Sequence, residues 1–391
     1  DDDDDDDDDD DEIQFRSTTL RHKENDPVSF HNNSRRMLNG RFLASCHSDG
    51  EALLWDLNNQ KKLAIISSPR GGPGLTIRRM NDSTQILFQT RDTKGIVSLH
   101  SVEQTTTTNI RQYETLSHTF CQAAPCYGNK HLLALPSLDD STVTLVDGRT
   151  DTNIAQYKIK GHGMLTSLAL CTTASTSDGG HSTGRPILAC GMESGTVTFF
   201  DILSGSRSSS EASFSLGKDP ILTLDVTPSG THAAQGVKLP FDGGSDSLLI
   251  AAGMAGDSED ISKLSSFEAG RAVIFKTTHC FHHDCKLPKW TFKQRARLST
   301  CRVDRGSFNG KPGVSICRFR PQDGRLLAVG GWDFRIRLFE RSKGNAMAIL
   351  KGNKGSIVGL DWSPDASTSG LFASASGNDK SISIWQCFAN R

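Results

Sequence analysis

The sequence predicts an all-β chain, a seven-bladed β-propeller with loop insertions and a disordered acidic N-terminal tail. Three observations carry this. Short apolar runs with a small residue at their centre recur through the 391 residues. Each run leads through a polar turn into a strand that alternates. The aromatic or apolar residue ending that second strand returns seven times, at Trp55, His100, Val146, Phe200, Phe275, Phe339 and Trp385. Most of these spacings are close to the roughly 40–45 residues that one four-stranded blade occupies.

The apolar runs come first in each hairpin. They are Phe42-Leu43-Ala44-Ser45, Leu132-Leu133-Ala134, Ile187-Leu188-Ala189-Cys190, Leu249-Ile250-Ala251-Ala252, Leu326-Leu327-Ala328-Val329 and Leu371-Phe372-Ala373-Ser374, with Ile86-Leu87-Phe88 a weaker copy. Continuous apolar character marks a strand covered on both faces, and the small residue lets the next sheet approach. Turns such as Ser48-Asp49-Gly50 and Glu193-Ser194-Gly195 then reverse the chain. The following strands alternate, as in Arg335-Ile336-Arg337-Leu338-Phe339 and Ser381-Ile382-Ser383-Ile384-Trp385. A further strand before each hairpin ends in a turn signal; Val314–Phe319 runs into Pro321, and Ile357–Trp362 into Pro364. A looser one follows it, for example Ala346–Leu350. Four strands in each of seven repeats make a propeller.

The N-terminus completes the ring in this reading. The last hairpin ends near Trp385 with too little chain left for an outer strand. The strand-like segment Ile13–Thr18 is expected to supply it, which satisfies exposed edge groups and joins the chain ends. The propeller then spans 13–391, with insertions near 231–246, 255–269 and 279–312. Of these, 255–269 and parts of 296–312 are poor in apolar anchors and are expected to be mobile.

Charge is divided unevenly. Residues 1–12 are eleven Asp and one Glu, which is 12 of the 45 acidic residues, so the rest of the chain is net basic. A like-charged run repels itself and has nothing to bury, so it is read as a disordered tail. Ten cysteines are spread thinly, several inside apolar runs. That usage suits small buried hydrophobes in a reducing compartment, the nucleus or cytoplasm, and not a secreted disulfide framework. No apolar run approaches the ~20 residues that span a bilayer.

Catalytic and cofactor signatures are weak. Cys280, His282, His283 and Cys285 lie within seven residues that also hold His279, and zinc takes such ligands. Structural zinc sites pair two well-separated ligand pairs, and no clean second pair follows, so a surface loop is the better reading. Lys286 to Arg305 is basic, with Trp290 and Phe292 interleaved. Its alternation favours an outer strand with solvated lysines over a nucleic-acid stripe. Gly71-Gly72-Pro73-Gly74 lacks the Lys-Ser/Thr and helix of a phosphate loop and reads as a turn. No enzyme activity and no cofactor is expected.

The hairpins resemble WD40 repeats across nearly all of residues 13–391, although Trp55-Asp56 is the one literal WD and Gly161-His162 the one literal GH. The resemblance implies blade networks joining His, Ser/Thr, Asp and Trp. Ser45, Asp49 and Trp55 match three of those roles in the first blade. Ser374 or Ser376, Asp379 and Trp385 match them in the last. The stretches Gly331–Phe339, Asp379–Trp385 and Leu188–Val197, with the divergent Leu133–Pro136 blade, are similar to the family of ASTRA-associated protein 1 and guanine nucleotide-binding protein subunit beta-like protein 1. That similarity implies a non-catalytic scaffold subunit. Its partners would be other proteins in assemblies that mature PI3-kinase-like kinases, with links to chromatin regulation, and the propeller itself would be monomeric. The alternative is a stand-alone reader of peptides or nucleic acid.

Propellers bind through loop ends because their strands are committed to the core. Trp332 follows Gly330-Gly331 at a hairpin turn, with Arg335 and Arg337 close by; these three are the expected partner contacts, since Trp and Arg are enriched among binding anchors. The competing reading is that Trp332 caps the core and Asp333 makes a structural hydrogen bond.

Overall fold

Period-two alternation and short polar turns give strands throughout, and the computed structural model contains 28 of them among its described residues. It describes residues 14–21, 37–38, 42–67, 72–80, 84–103, 106–129, 131–173, 185–202, 211–228, 247–255, 271–280, 289–299, 313–341, 346–364, 370–377 and 381–388. The acidic run 1–12, the expected insertion 231–246 and, but for Ala255, the expected insertion 255–269 lie outside these.

Among the described residues every strand but the N-terminal one pairs with a sequence neighbour in an antiparallel meander of four. Seven such units follow one another. The third and fourth are joined into one eight-stranded sheet by parallel bridges, Cys126 to Leu170 and Tyr127 to Cys171. The apolar runs form the second strand of each unit, and the seven recurrent positions all fall on third strands. There they are buried: Trp55 is 5% exposed, His100 3%, Val146 1%, Phe200 2%, Phe275 and Phe339 0%, and Trp385 4%.

The core consists of layers between units. One apolar cluster lies between each unit and the next, such as Ala44, Leu54, Ile77 and Phe88 between units one and two. The seventh cluster joins Leu43, Leu53 and Trp55 of unit one to Ala373 and Ile382 of unit seven. The stack therefore closes on itself as a β-propeller. Glycine makes the close approach possible at Gly253 and Gly330. A Cβ there would fall 2.5 Å from Val314 Cγ1 and Ile357 Cγ2 respectively, which are side chains of the next unit.

Closure uses the N-terminus. Gln14–Arg21 pairs antiparallel with Ser381–Phe388 over eight residues, from Gln14 opposite Phe388 to Arg21 opposite Ser381. It is the fourth strand of unit seven. The expected insertion at 279–312 needs correcting. Its residues 279–280 end the third strand of unit five, Arg271–Cys280, and 289–299 form the fourth, Lys289–Ser299. Ala296–Ser299 is thus paired strand, and 281–288 and 300–312 lie outside the described residues.

Candidate interaction face and central channel

In a meander of four, the turn between second and third strands and the link from the fourth strand to the next unit share one end. Here that end, called upper below, carries the described loops 47–51, 91–95, 115–123, 137–141, 159–164, 193–195, 216–220, 332–335 and 351–356. The first strand of each unit lies innermost. Together these strands line a central channel that contains a lower cavity of about 100 Å³ and an upper one of about 30 Å³.

Trp332 sits at the upper end of unit six. Its backbone N–H donates to Gly313 O at 3.0 Å, and its carbonyl accepts from Ser356 Oγ at 3.3 Å. The ring covers Gly313 so closely that a Cβ on that residue would lie 2.6 Å from it. Trp332 is half-buried, so one part of the indole is held and another faces solvent. Arg335 is also half-buried, and its backbone N–H donates to Asp333 Oδ1 at 3.4 Å.

Arg337 departs from expectation. It is only 2% exposed, and its guanidinium is bidentate on Asp333, Nη1 to Oδ1 at 3.1 Å and Nη2 to Oδ2 at 2.7 Å. Its position on the third strand aims it between sheets, so it is committed inside the blade and presents no charge to a partner. Asp333 is correspondingly bound to this pair.

The blade networks are equally local. Trp55 Nε1–H donates to Ser45 Oγ at 2.8 Å, and His47 Nε2 lies 3.3 Å from the same oxygen. Asp49 Oδ1 accepts from Glu51 N–H at 2.8 Å and so braces the turn. In unit seven Trp385 Nε1–H donates to Ser374 Oγ at 2.9 Å, and Ser374 Oγ donates to Asn353 Oδ1 at 3.3 Å. Ser376 Oγ is buried with no hydrogen bond among the described residues. Asp379 lies outside them.

The sequence reading missed the larger apolar display at this end. Leu116, Phe120 and Leu138 are 42%, 64% and 60% exposed, and Arg91 stacks over the Phe120 ring at 3.8 Å. The loop that carries two of them is pinned by Leu116 N–H to Lys94 O at 2.8 Å and by Gln89 to Cys121 O and Ala123 N. Leu116 also adopts a left-handed φ of 55°. Unlike Trp332, these residues stand outside any repeat position, so periodicity gave no signal for them.

Reactive groups are muted. Burial pushes the thiols of Cys126 and Cys387 up to about 12 and those of Cys121 and Cys171 up as well, so thiolate chemistry is suppressed there. Among the described residues no group of three or more His, Cys, Asp or Glu is placed to hold a metal. Cys280 ends a strand, and His282, His283 and Cys285 lie outside the described residues. No described helix is long and apolar enough to cross a membrane.

Comparison with known proteins bears on the fold. The family described as WD domain, G-beta repeat matches residues 344–386. Guanine nucleotide-binding protein subunit beta-like protein 1 of Mus musculus is 22% identical over 351 residues, covering 88% of this chain and 87% of that protein. Ribosome assembly protein 4 of Chaetomium thermophilum is 37% identical over only 57 residues, 15% of this chain and 11% of that protein. The solved β-propeller domain of Cps50 (Swd1) from Myceliophteria thermophila superposes with a TM-score of 0.61 at 15% identity, covering 94% of this chain and 98% of that one. The chain is thus a β-propeller bearing a WD40 repeat, similar along most of its length to guanine nucleotide-binding protein subunit beta-like protein 1.

Proposed function

We propose that this seven-bladed propeller is a non-catalytic scaffold that binds other proteins through its upper face, as one subunit of a larger hetero-complex. The observation that carries the reading is the display at that face. Three exposed apolar side chains and a half-exposed Trp332 stand on short loops fixed by backbone hydrogen bonds. Rigid aromatic and aliphatic anchors bind at low entropic cost, which is what a docking surface needs.

The finer reading is a subunit of an ASTRA-like assembly that supports PI3-kinase-like kinase maturation and chromatin regulation, in the nucleus or cytoplasm. It rests on the resemblance of Gly331–Phe339 and Leu188–Val197 to that family and on the match to the beta-like protein 1 over most of both chains. Affinity purification with mass spectrometry tests it. The expected result is stoichiometric recovery of kinase-maturation subunits. Trp332→Ala and Phe120→Ala are each expected to weaken capture by about 2 kcal/mol, with the melt of the free protein preserved. Undiminished capture by both variants, with unchanged melts, removes the upper face from the interface.

A further inference from the structure

The channel wall holds a cation for which the scaffold reading has no use. Arg318, on the first strand of unit six, is 6% exposed and lines both cavities. Its hydrogen bonding is one-sided: Nη1 donates to the carbonyls of Leu224, at 3.4 Å, and of Cys317. No carboxylate among the described residues lies within ion-pair distance of it, and its Nη2 and Nε make no hydrogen bond there. A buried guanidinium held only by backbone carbonyls has no counter-charge beside it in a low-dielectric wall, so the site favours an anion.

The surroundings decide where that anion sits. Asp225 and Asp361 line the lower cavity. The upper cavity has no carboxylate in its lining. Arg78, which like Arg318 lines both cavities, reaches it from unit two on the far side of the ring. Gln122, from the loop into unit three, lines it with a side-chain amide that has no hydrogen bond among the described residues. Thr223 of unit five adds a hydroxyl that accepts from Cys317 N–H at 3.4 Å and keeps its own proton to give. Donors therefore converge from four units. One water needs about 10–15 Å³, so a cavity of about 30 Å³ has room for more than a single water. A bond from Tyr127 Oη–H to Pro321 O at 3.1 Å crosses the lower end, and Phe120 lines the cavity at the upper end.

We propose that the upper channel is a binding site for a phosphate group, held by Arg318 and Arg78 as cations and by Gln122 and Thr223 as neutral donors. Donors from several directions suit the oxygens of a tetrahedral oxyanion better than the single plane of a carboxylate. The site stands whether or not the scaffold reading does, because it rests on the channel and not on the face.

Inorganic phosphate and a phosphoserine peptide are the two probes, titrated calorimetrically into the full chain, with the unphosphorylated peptide as control. The expected result is saturable binding of at least one probe, at least ten-fold weakened by Gln122→Glu. That substitution puts a negative charge in the cavity and breaks no hydrogen bond among the described residues, so its melt without ligand should match that of the native chain. Arg318→Met should abolish binding; if it fails to fold, Gln122→Glu and Thr223→Val carry the test. Peptide binding that needs the phosphate identifies a phosphorylated partner as the source, and binding of inorganic phosphate alone identifies a free ion. No binding of either probe, or binding that Gln122→Glu leaves unchanged, overturns the proposal.

Discussion

Units one and seven anchor their third strand differently from unit six. In the first two, a tryptophan donates its indole N–H to a serine two residues further along the second strand: Trp55 to Ser45 and Trp385 to Ser374. In unit six the same position is Phe339, with no donor, and the polar anchor moves two residues earlier, to Arg337 paired with Asp333. Unit two takes a third course, with His100 in the tryptophan position and Ser98 2.8 Å away. In these four units the third strand thus carries one satisfied polar anchor, buried between sheets, whereas units three, four and five place Val146, Phe200 and Phe275 at the recurrent position. The WD dipeptide is one form of that anchor. A neutral indole bond and a buried ion pair differ in what happens when they are broken, because the ion pair leaves a charge behind.

The largest test is on closure. Unit seven shares its outer edge with Gln14–Arg21, whereas unit six closes within itself. Deleting residues 1–21 should lower Tm more than any point substitution below, while deleting 1–12 should leave it nearly unchanged. Equal melts for the two deletions would mean that the eight paired residues contribute nothing.

The next effect separates the two kinds of anchor. Asp333→Ala strands the Arg337 guanidinium and should cost about 3–5 kcal/mol in denaturant unfolding. The double variant Asp333→Leu with Arg337→Met should recover most of that loss, since a buried pair is often replaceable by apolar groups of similar size. A cost below about 1 kcal/mol for the single change would show the pair to be solvated. Trp55→Phe and Trp385→Phe keep the packing and lose one neutral hydrogen bond, so each should cost only about 1–2 kcal/mol. If either matched Asp333→Ala, the distinction drawn between the anchors would fail.

Between these lies the interface of units six and seven. Gly330→Ala forces a Cβ against Ile357 and should cost about 1–3 kcal/mol, with no change in the hydrogen-bonded anchors. Neutral behaviour there would show that the sheets can move apart freely.

The smallest effect concerns Cys387, opposite Phe15 on the closing strand. Burial raises its thiol from 9.0 to about 12. Folding therefore favours the neutral thiol, and its contribution is complete below pH 9 and is lost as pH climbs toward 12. Iodoacetamide at pH 8 should spare Cys387 in the full chain and label it once residues 1–21 are deleted. Equal labelling in both would place the thiol outside the protection of that strand.

Much of the fold was legible from the residues. Alternation, small residues within apolar runs and Gly/Asp turns are local constraints, and each of the seven recurrent positions lies on the third strand they imply. The closing role of the N-terminal segment followed from counting strands. The candidate face was legible only in part. Trp332 lies at the turn where the pattern placed it, but Arg337 occupies an alternating position whose orientation depends on which face of the strand meets the next sheet. Phe120 and Leu138 sit in loops without period, so nothing in their spacing marked them.

The sequence by itself determined strand identity, order and pairing partners, because hydrophobic period and turn chemistry act between residues close in the chain. Only the tertiary structure decided what depends on neighbours in other units. First strands bulge at the same place in units two, four, five, six and seven, one residue after their start. At that bulge Thr166 and Ser315 bond the carbonyls of Ile221 and Ile357, the opening residues of the following units. The channel is decided in the same way. Arg318, Arg78 and Gln122 are far apart in sequence and line one cavity because the ring closes, which no local pattern encodes.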